Sequence, residues 1–306
     1  MNLNKPTLII SNDAGGATII NAWLKKNILT NVEFCLAGPA VDIFKTPFIS
    51  EQQASSNILN QKYEWILTGT SWENLLELRL IKQALECEIK ISTYLDHWIN
   101  HRERFGYPQN NWEKNLPHEI WCGDKHCLQI CQDLGFPTDK LKLVENEYFK
   151  ETKLKCLELN ITPKKKSLLY LTEPIAEHMQ LSHRNELYLG YNEYTCIEDF
   201  IRYLPNVAEK IEHITIRPHP SEPTQKYLKY QDQFPPNIEI QISKQNDLLK
   251  ELLQHEMILG CETMAMVIAL LANKEVYTMI PLNGRPCVLP FEEIKPFFTL
   301  LPEECR

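Results

Sequence analysis

Along the chain, short apolar runs rich in β-branched residues alternate with longer stretches whose apolar positions recur three and four residues apart. That alternation predicts strand–helix–strand units around a parallel sheet. In the first half the strand-like runs are 7–11 (TLIIS), 32–38, 64–69, 89–96, 118–123 and 140–145, with helical spacing at 16–27, 73–88 and 125–136. Glu73 falls in the first turn of the second of these helices, with Thr70 or Ser71 as its cap. A polar helical stretch, 147–166, follows, and the alternation then restarts. Strands are predicted at 167–173, 213–219, 237–243, 256–261 and 275–280, and helices at 194–211, 245–255 and 263–274. Segment 290–304 reads as a short C-terminal helix packing back across the linker. The expected fold class is therefore α/β, with two Rossmann-like doubly wound lobes. Residues 1–150 form the first, 151–166 a linker and 167–306 the second.

Composition sharpens this picture in a few places. A chain of 306 residues suits two cores of about 150 residues each. The hydrophobic share of 43% and the charged share of 24% argue against long disordered tracts. The net charge of −8 comes from interspersed acids and bases without a basic patch, so nucleic acid is not an expected partner. The basic run Lys164 to Lys166 reads as a solvated loop before a strand. The N-terminus does not resemble a signal peptide, and no apolar stretch reaches the roughly 18 residues of a membrane span. A cytoplasmic protein is expected. Its ten cysteines read mainly as small buried apolar residues. Cys122, His126, Cys127 and Cys131 raise a metal question, but no second Cys/His pair stands at finger or ribbon spacing. They are read as structural, with no metal and no cofactor expected.

In open parallel sheets, ligands gather beyond the carboxyl ends of the strands. The polar residues just after each strand are therefore the candidates, and two such lobes would present them to a shared cleft. After the first strand come Asn12 and Asp13, then Gly15 and Gly16, which permit a tight turn into a helix. The run "YLDHW" ends a strand on Asp96 and His97, with His101, Arg102 and Arg104 close behind. A strand-end aspartate beside a histidine suits proton abstraction from a hydroxyl. In the second half, Glu173 ends one strand and could meet a ribose or a base edge. The run "RPHPSE" ends another with Arg217, His219 and Ser221, where two prolines stiffen the loop that presents the histidine. In "GCETM" a helix opens at Glu262 and Thr263, offering N–H groups and a hydroxyl to phosphate. Glu262 is suited to a ribose hydroxyl or to the helix dipole. Arg285 follows the last strand.

These residues, in this order, resemble those of nucleotide-sugar glycosyltransferases of the GT-B architecture. Closest in motifs are the bacterial transferases that use CMP-activated acidic sugars, the sialyl and Kdo groups. Their His-Pro motif is met by His219-Pro220, their acidic motif by Asp96 and their hydroxylated motif by Thr263. "YLDHW" lacks that family's second acid and glycine, so Asp13 stands as an alternative base. The resemblance implies a metal-independent transfer from a nucleotide-sugar substrate to a hydroxyl of a glycan or lipid-linked glycan. The first lobe would bind the acceptor, with His97 and Arg102 lining its loop. The second would bind the donor, with His219, Ser221 and Thr263 stabilising the leaving phosphate. Three alternatives remain open at this stage. These are a nucleotide-sugar 2-epimerase or hydrolase, a polyol-phosphate transferase using CDP-linked donors, and a binding protein of the same architecture without catalysis.

Overall fold

The computed structural model describes residues 5–71 and 74–303, so Glu73 lies outside the described residues. The chain divides into two compact units, Met1–Glu151 and Thr152–Arg306. The helix Glu147–Leu159 crosses that division. Among the described residues no helix is long and apolar enough to cross a membrane.

The first unit holds six parallel strands: β1 (Thr7–Ser11), β2 (Val32–Leu36), β3 (Trp65–Thr68), β4 (Lys90–Leu95), β5 (Glu119–Cys122) and β6 (Leu141–Leu143). Their spatial order is β2-β1-β3-β4-β5-β6. Thr7 pairs with Val32 on one side and Trp65 on the other. Because successive strand residues point to opposite faces, the continuous run TLIIS feeds two cores. Leu8 and Ile10 join Ile58, Ile66, Ile81 and Ile91 on one face. Ile9 joins Ile20, Trp23, Trp65, Tyr94 and Trp121 on the other. Each such side chain contributes about 1.5–3 kcal/mol on burial. The indole of Trp65 also donates to Ser92 Oγ at 3.0 Å, so its polar edge is satisfied inside the core.

The second unit repeats the architecture with β7 (Lys164–Leu171), β8 (His213–Arg217), β9 (Glu239–Ile242), β10 (His255–Gly260), β11 (Glu275–Thr278) and β12 (Ile294–Pro296). These run in the order β12-β11-β10-β7-β8-β9, all parallel. The strand order reverses at β1 in one sheet and at β7 in the other. Loops that leave β1 and β3, or β7 and β10, therefore diverge to opposite faces and open a crevice at the carboxyl ends. Those crevices hold the residues of interest.

Three features depart from the sequence reading. Segment 290–304 is not a helix over its described part, because prolines at 290, 296 and 302 interrupt any helical run. It instead adds β12 beside β11 and then makes a single 3-10 turn, Phe297–Leu300. Phe297 packs on Phe200 and Phe298 on Tyr203, with ring centroids 5.4 Å apart in both pairs. Lys164 to Lys166 open β7 instead of preceding it, and remain exposed through ion pairs of Lys164 with Glu239 and Lys166 with Glu212. Helices Ala40–Phe44, Glu51–Leu59 and Ile175–His183 were not legible in the apolar spacing, and each buries only one or two side chains.

Candidate functional site

In the first unit the crevice beyond β1 and β3 is built around a buried carboxylate. Glu77, in the helix Leu76–Glu86, accepts the backbone N–H of Asn12 at 2.8 Å and the Ser71 hydroxyl at 3.2 Å through Oε1. Its Oε2 is buried without a hydrogen-bond partner among the described residues. Burial pushes the Glu77 carboxyl up to about 7; backbone donors oppose the shift and the charge of Asp13 adds to it. Asn12 carries the chain of contacts outward. Its Nδ2 donates to Asp13 Oδ1 at 2.7 Å and to Ser71 Oγ at 3.4 Å, while its Oδ1 accepts from Asn74 at 3.0 Å. Asp13 occupies the N-cap position of the helix Ala14–Lys26, but its side chain makes no capping bond there. Its carboxylate is half-buried and turned towards Asn12.

Asp96, after β4, sits differently. Its Oδ1 pairs with Arg104 Nη1 at 2.7 Å, and that guanidinium also donates to the Thr70 carbonyl and hydroxyl. The side chains of the pair are 11% and 6% exposed, which makes this a buried ion pair. Its Oδ2 presses against Gly15, where a Cβ would fall 2.0 Å away. Gly16 similarly faces Gly69, with a Cβ 3.1 Å from the Gly69 Cα. The two glycines thus admit Asp96 and the β3 loop to the first turn of the helix. Both carboxylate oxygens of Asp96 are thus engaged inside the unit, Oδ1 by Arg104 and Oδ2 against Gly15.

Neighbouring candidates are also occupied within the protein. The guanidinium of Arg102 donates to the Leu134 carbonyl at the end of the helix Lys125–Asp133 and is spent as a helix C-terminal partner. Burial pushes the His97 imidazole down to about 4, and its Nδ1 has no hydrogen-bond partner among the described residues. Thr70 and Ser71 do not cap the helix that follows them; Asn74 Oδ1 accepts the Leu76 N–H instead.

In the second unit the RPHP loop leaves β8 over a buried glutamate. Glu222 Oε2 accepts the backbone N–H of His219 at 2.9 Å and the Thr172 hydroxyl; Oε1 accepts Lys226 and the Tyr227 hydroxyl, both at 2.7 Å. Burial would raise the Glu222 pKa, but these donors outweigh it and hold the carboxyl below its ordinary range. The His219 ring is oriented in turn by Ser221, whose backbone N–H donates to Nδ1 at 3.3 Å and whose Oγ lies 2.7 Å from the same nitrogen. An Nδ1 that accepts from a backbone N–H must leave the ring proton on Nε2. Burial pushes the His219 pKa down, with His178 adding and Glu222 opposing, so the ring is neutral at pH 7. It lines a cavity of about 470 Å³ with Pro218, Ser243, Lys244, Gln245 and Asn246, beyond the carboxyl ends of β8 and β9.

The β7/β10 crevice holds Glu173, whose Oε1 accepts the Glu262 N–H at 2.9 Å. Burial pushes the Glu173 carboxyl up to about 7, against backbone donors and with the Glu262 charge adding. Glu262 itself pairs with Arg285 and takes the Val288 N–H, so its carboxylate is committed within the unit. Thr263 caps the helix Met264–Leu271 through its hydroxyl, at 3.4 Å from the Ala265 N–H. Arg217 also lines the cavity beside His219, and its Nη1 pairs with Glu251 and donates to the Gln245 carbonyl at 2.7 Å. The structure thus draws Asn12 and Asp13 together in one unit, and His219 with Ser221, or Glu173 with Glu262, in the other. Glu77 was missed by the sequence reading, while Arg104 and Glu222 stood in the runs it singled out without the partners found here.

No protein-family model matches the chain, and no curated protein matches it. Solved structures do match. The UDP-GlcNAc 2-epimerase of Methanocaldococcus jannaschii superposes with a TM-score of 0.58 at 14% identity, over 89% of this chain and 83% of its own. HepE of Anabaena, solved with UDP and glucose, gives 0.54 at 10% identity, over 90% and 80%. MurG of Acinetobacter baumannii gives 0.53 at 10% identity, over 91% and 80%. The fold is of the GT-B type. At these identities the likeness concerns the GT-B scaffold, and function has to be argued from the side chains.

Proposed function

We propose that this GT-B chain is a nucleotide-sugar glycosyltransferase whose second unit binds the donor. The observation that carries the reading is the His219 ring, neutral, oriented by Ser221 and supported by Glu222, at the mouth of a cavity beyond a parallel sheet. A fixed Nε2–H there is a preorganised donor for a phosphate oxygen. The proline-framed loop is already ordered by Glu222, so binding need not immobilise it. The Thr263 helix start supplies further N–H groups for phosphate at the β10 end.

In the proposed reaction the acceptor O–H attacks the anomeric carbon as the bond to the phosphate oxygen breaks. In the second unit the departing charge on phosphate is met by His219 Nε2–H, and the first unit offers the Asp13 carboxylate as a proton acceptor. Asp13 takes this role in place of Asp96, whose Oδ1 is bound to Arg104. Asn12, held by Glu77, Ser71 and Asn74, fixes the Asp13 carboxylate. UDP is the nucleotide named with HepE and with the epimerase, and a UDP-linked donor is therefore our first choice; the CMP-linked acidic sugar suggested by the His-Pro motif is the second.

Calorimetry with UDP, CMP, CDP, GDP and ADP on the wild type and on His219→Ala tests the reading. Selective binding of one nucleotide, weakened by the substitution, supports it. Failure of every nucleotide to bind the wild type would remove it and leave a non-catalytic binding protein. A 2-epimerase is the rival within enzymes, favoured by Glu173, a carboxyl raised to about 7 at the β7/β10 crevice and suited to proton transfer on a bound sugar. Consumption or isomerisation of the donor without any acceptor would decide for it.

A further inference from the structure

Beneath the Asp96 loop lies a group of sulfur and nitrogen donors that plays no part in the proposed transfer. His101, Cys127 and Cys131 are all buried, and one ligating atom from each lies within 4.8 Å of the others. His101 Nε2 is 3.9 Å from Cys127 Sγ. Cys127 and Cys131 both hydrogen-bond to the sulfur of a third buried cysteine, Cys122. His126, the histidine nearest to these cysteines in sequence, is exposed; the loop after β4 brings His101 to them instead.

We propose that His101, Cys127 and Cys131, with Cys122 beside them, form a site for a soft four-coordinate divalent cation, zinc in the cell. The geometry supports the assignment. Bond lengths of about 2.3 Å to sulfur and 2.0 Å to nitrogen in a tetrahedron place S and N about 3.6 Å apart, close to the separation already present. His101 is 1% exposed, so water does not compete for its ring. Its Nε2, the nitrogen 3.9 Å from Cys127 Sγ, lies 2.8 Å from the His97 carbonyl, a hydrogen bond that the ion would displace.

Loading releases the thiol protons to solvent, with no change of oxidation state. The ion closes a cross-link between β5 (Cys122), the helix Lys125–Asp133 (Cys127, Cys131) and the loop that carries Asp96 and Arg104 (His101). Its part is structural, because every protein donor is buried and no coordination position faces a substrate.

The test is metal analysis of the full-length chain purified under reducing conditions, followed by exchange of zinc for Co²⁺. About one zinc per chain is expected, and the cobalt form should show thiolate-to-metal absorption in the near ultraviolet with intense tetrahedral visible bands. His101→Ala and Cys131→Ser should lower the content at least tenfold, whereas Cys156→Ser, outside the cluster, should keep it. The wild-type cobalt spectrum needs no variant to fold. Reduced wild type that takes up less than about a tenth of an equivalent of either Zn²⁺ or Co²⁺ would overturn the proposal, leaving a buried thiol–imidazole hydrogen-bond cluster.

Discussion

Gly15 lies so close to Asp96 that a Cβ on the glycine would fall 2.0 Å from the aspartate Oδ2. Asp96 cannot turn aside cheaply, because Arg104 and Thr70 hold its other oxygen. Gly15→Ala should therefore destabilise the first unit by about 1–3 kcal/mol, as overpacking does in a closed site. Urea denaturation of the two proteins measures it, and an unchanged midpoint would show that the carboxylate is not packed against the helix turn.

The two aspartates should separate under substitution. Asp96→Asn leaves the buried Arg104 without its counter-charge and should cost about 3–5 kcal/mol of stability. Asp13→Asn keeps an oxygen for the Asn12 amide and should cost about 1 kcal/mol or less, while transfer to acceptor falls by about 100-fold or more. Thermal melts alongside turnover distinguish the pair. Equal stability losses with undiminished transfer in Asp13→Asn would remove Asp13 as the base.

Glu77 and His97 should act on stability in opposite directions between about pH 4 and 7. The folded pKa of Glu77 is raised to about 7, so its contribution is fully present below its ordinary value of 4.5 and is lost as pH rises to about 7. The folded pKa of His97 is lowered to about 4, so its contribution is present above 6.5 and is lost as pH falls towards 4. Glu77→Gln should gain on the wild type as pH rises from 4.5 to 7, by an amount on the order of 3 kcal/mol at most. Denaturant titrations at half-unit pH steps follow the difference; a constant offset would mean that Glu77 titrates normally.

The hydrogen bonds around His219 rank three further variants. Loss of its Nε2–H in His219→Ala should weaken nucleotide binding by about 10- to 100-fold, the range of a bond to a charged group. Ser221→Ala retains the backbone N–H that fixes the tautomer and should weaken binding only about threefold. Glu222→Gln should fall between them, since an amide cannot serve the Lys226 ammonium and the three other donors equally well. Calorimetric Kd values place the three. The reverse order would make the serine hydroxyl, not the histidine, the phosphate contact.

Much of the scaffold was legible because strand and helix periods are local. Eleven of the strands stand where the apolar runs predicted, and β12 escaped because three residues ending in proline carry no period. The candidate residues after the strands were likewise visible as types, but not their partners. Whether Asp96 is a free base or half of an ion pair depends on Arg104 folding back across eight residues to reach it. Gly15 and Gly16 signalled close approach, yet nothing local says whether the approaching group is a ligand or Asp96 and Gly69. The place of His101 beside the sulfur cluster was hidden for a similar reason, since it comes from another loop, 26 positions before Cys127.

Each sheet ends, on one side, in a three-residue strand with a lysine at its centre: Lys142 in β6 and Lys295 in β12. Both lysines are exposed, and Pro296 removes a backbone donor from the second edge. Such margins are poor templates for a strand from another molecule, because burying the ammonium opposes docking and too few N–H groups are left to continue a ladder. The flank on which each sheet could grow without limit is thereby guarded against fibrous self-assembly, independently of any reaction.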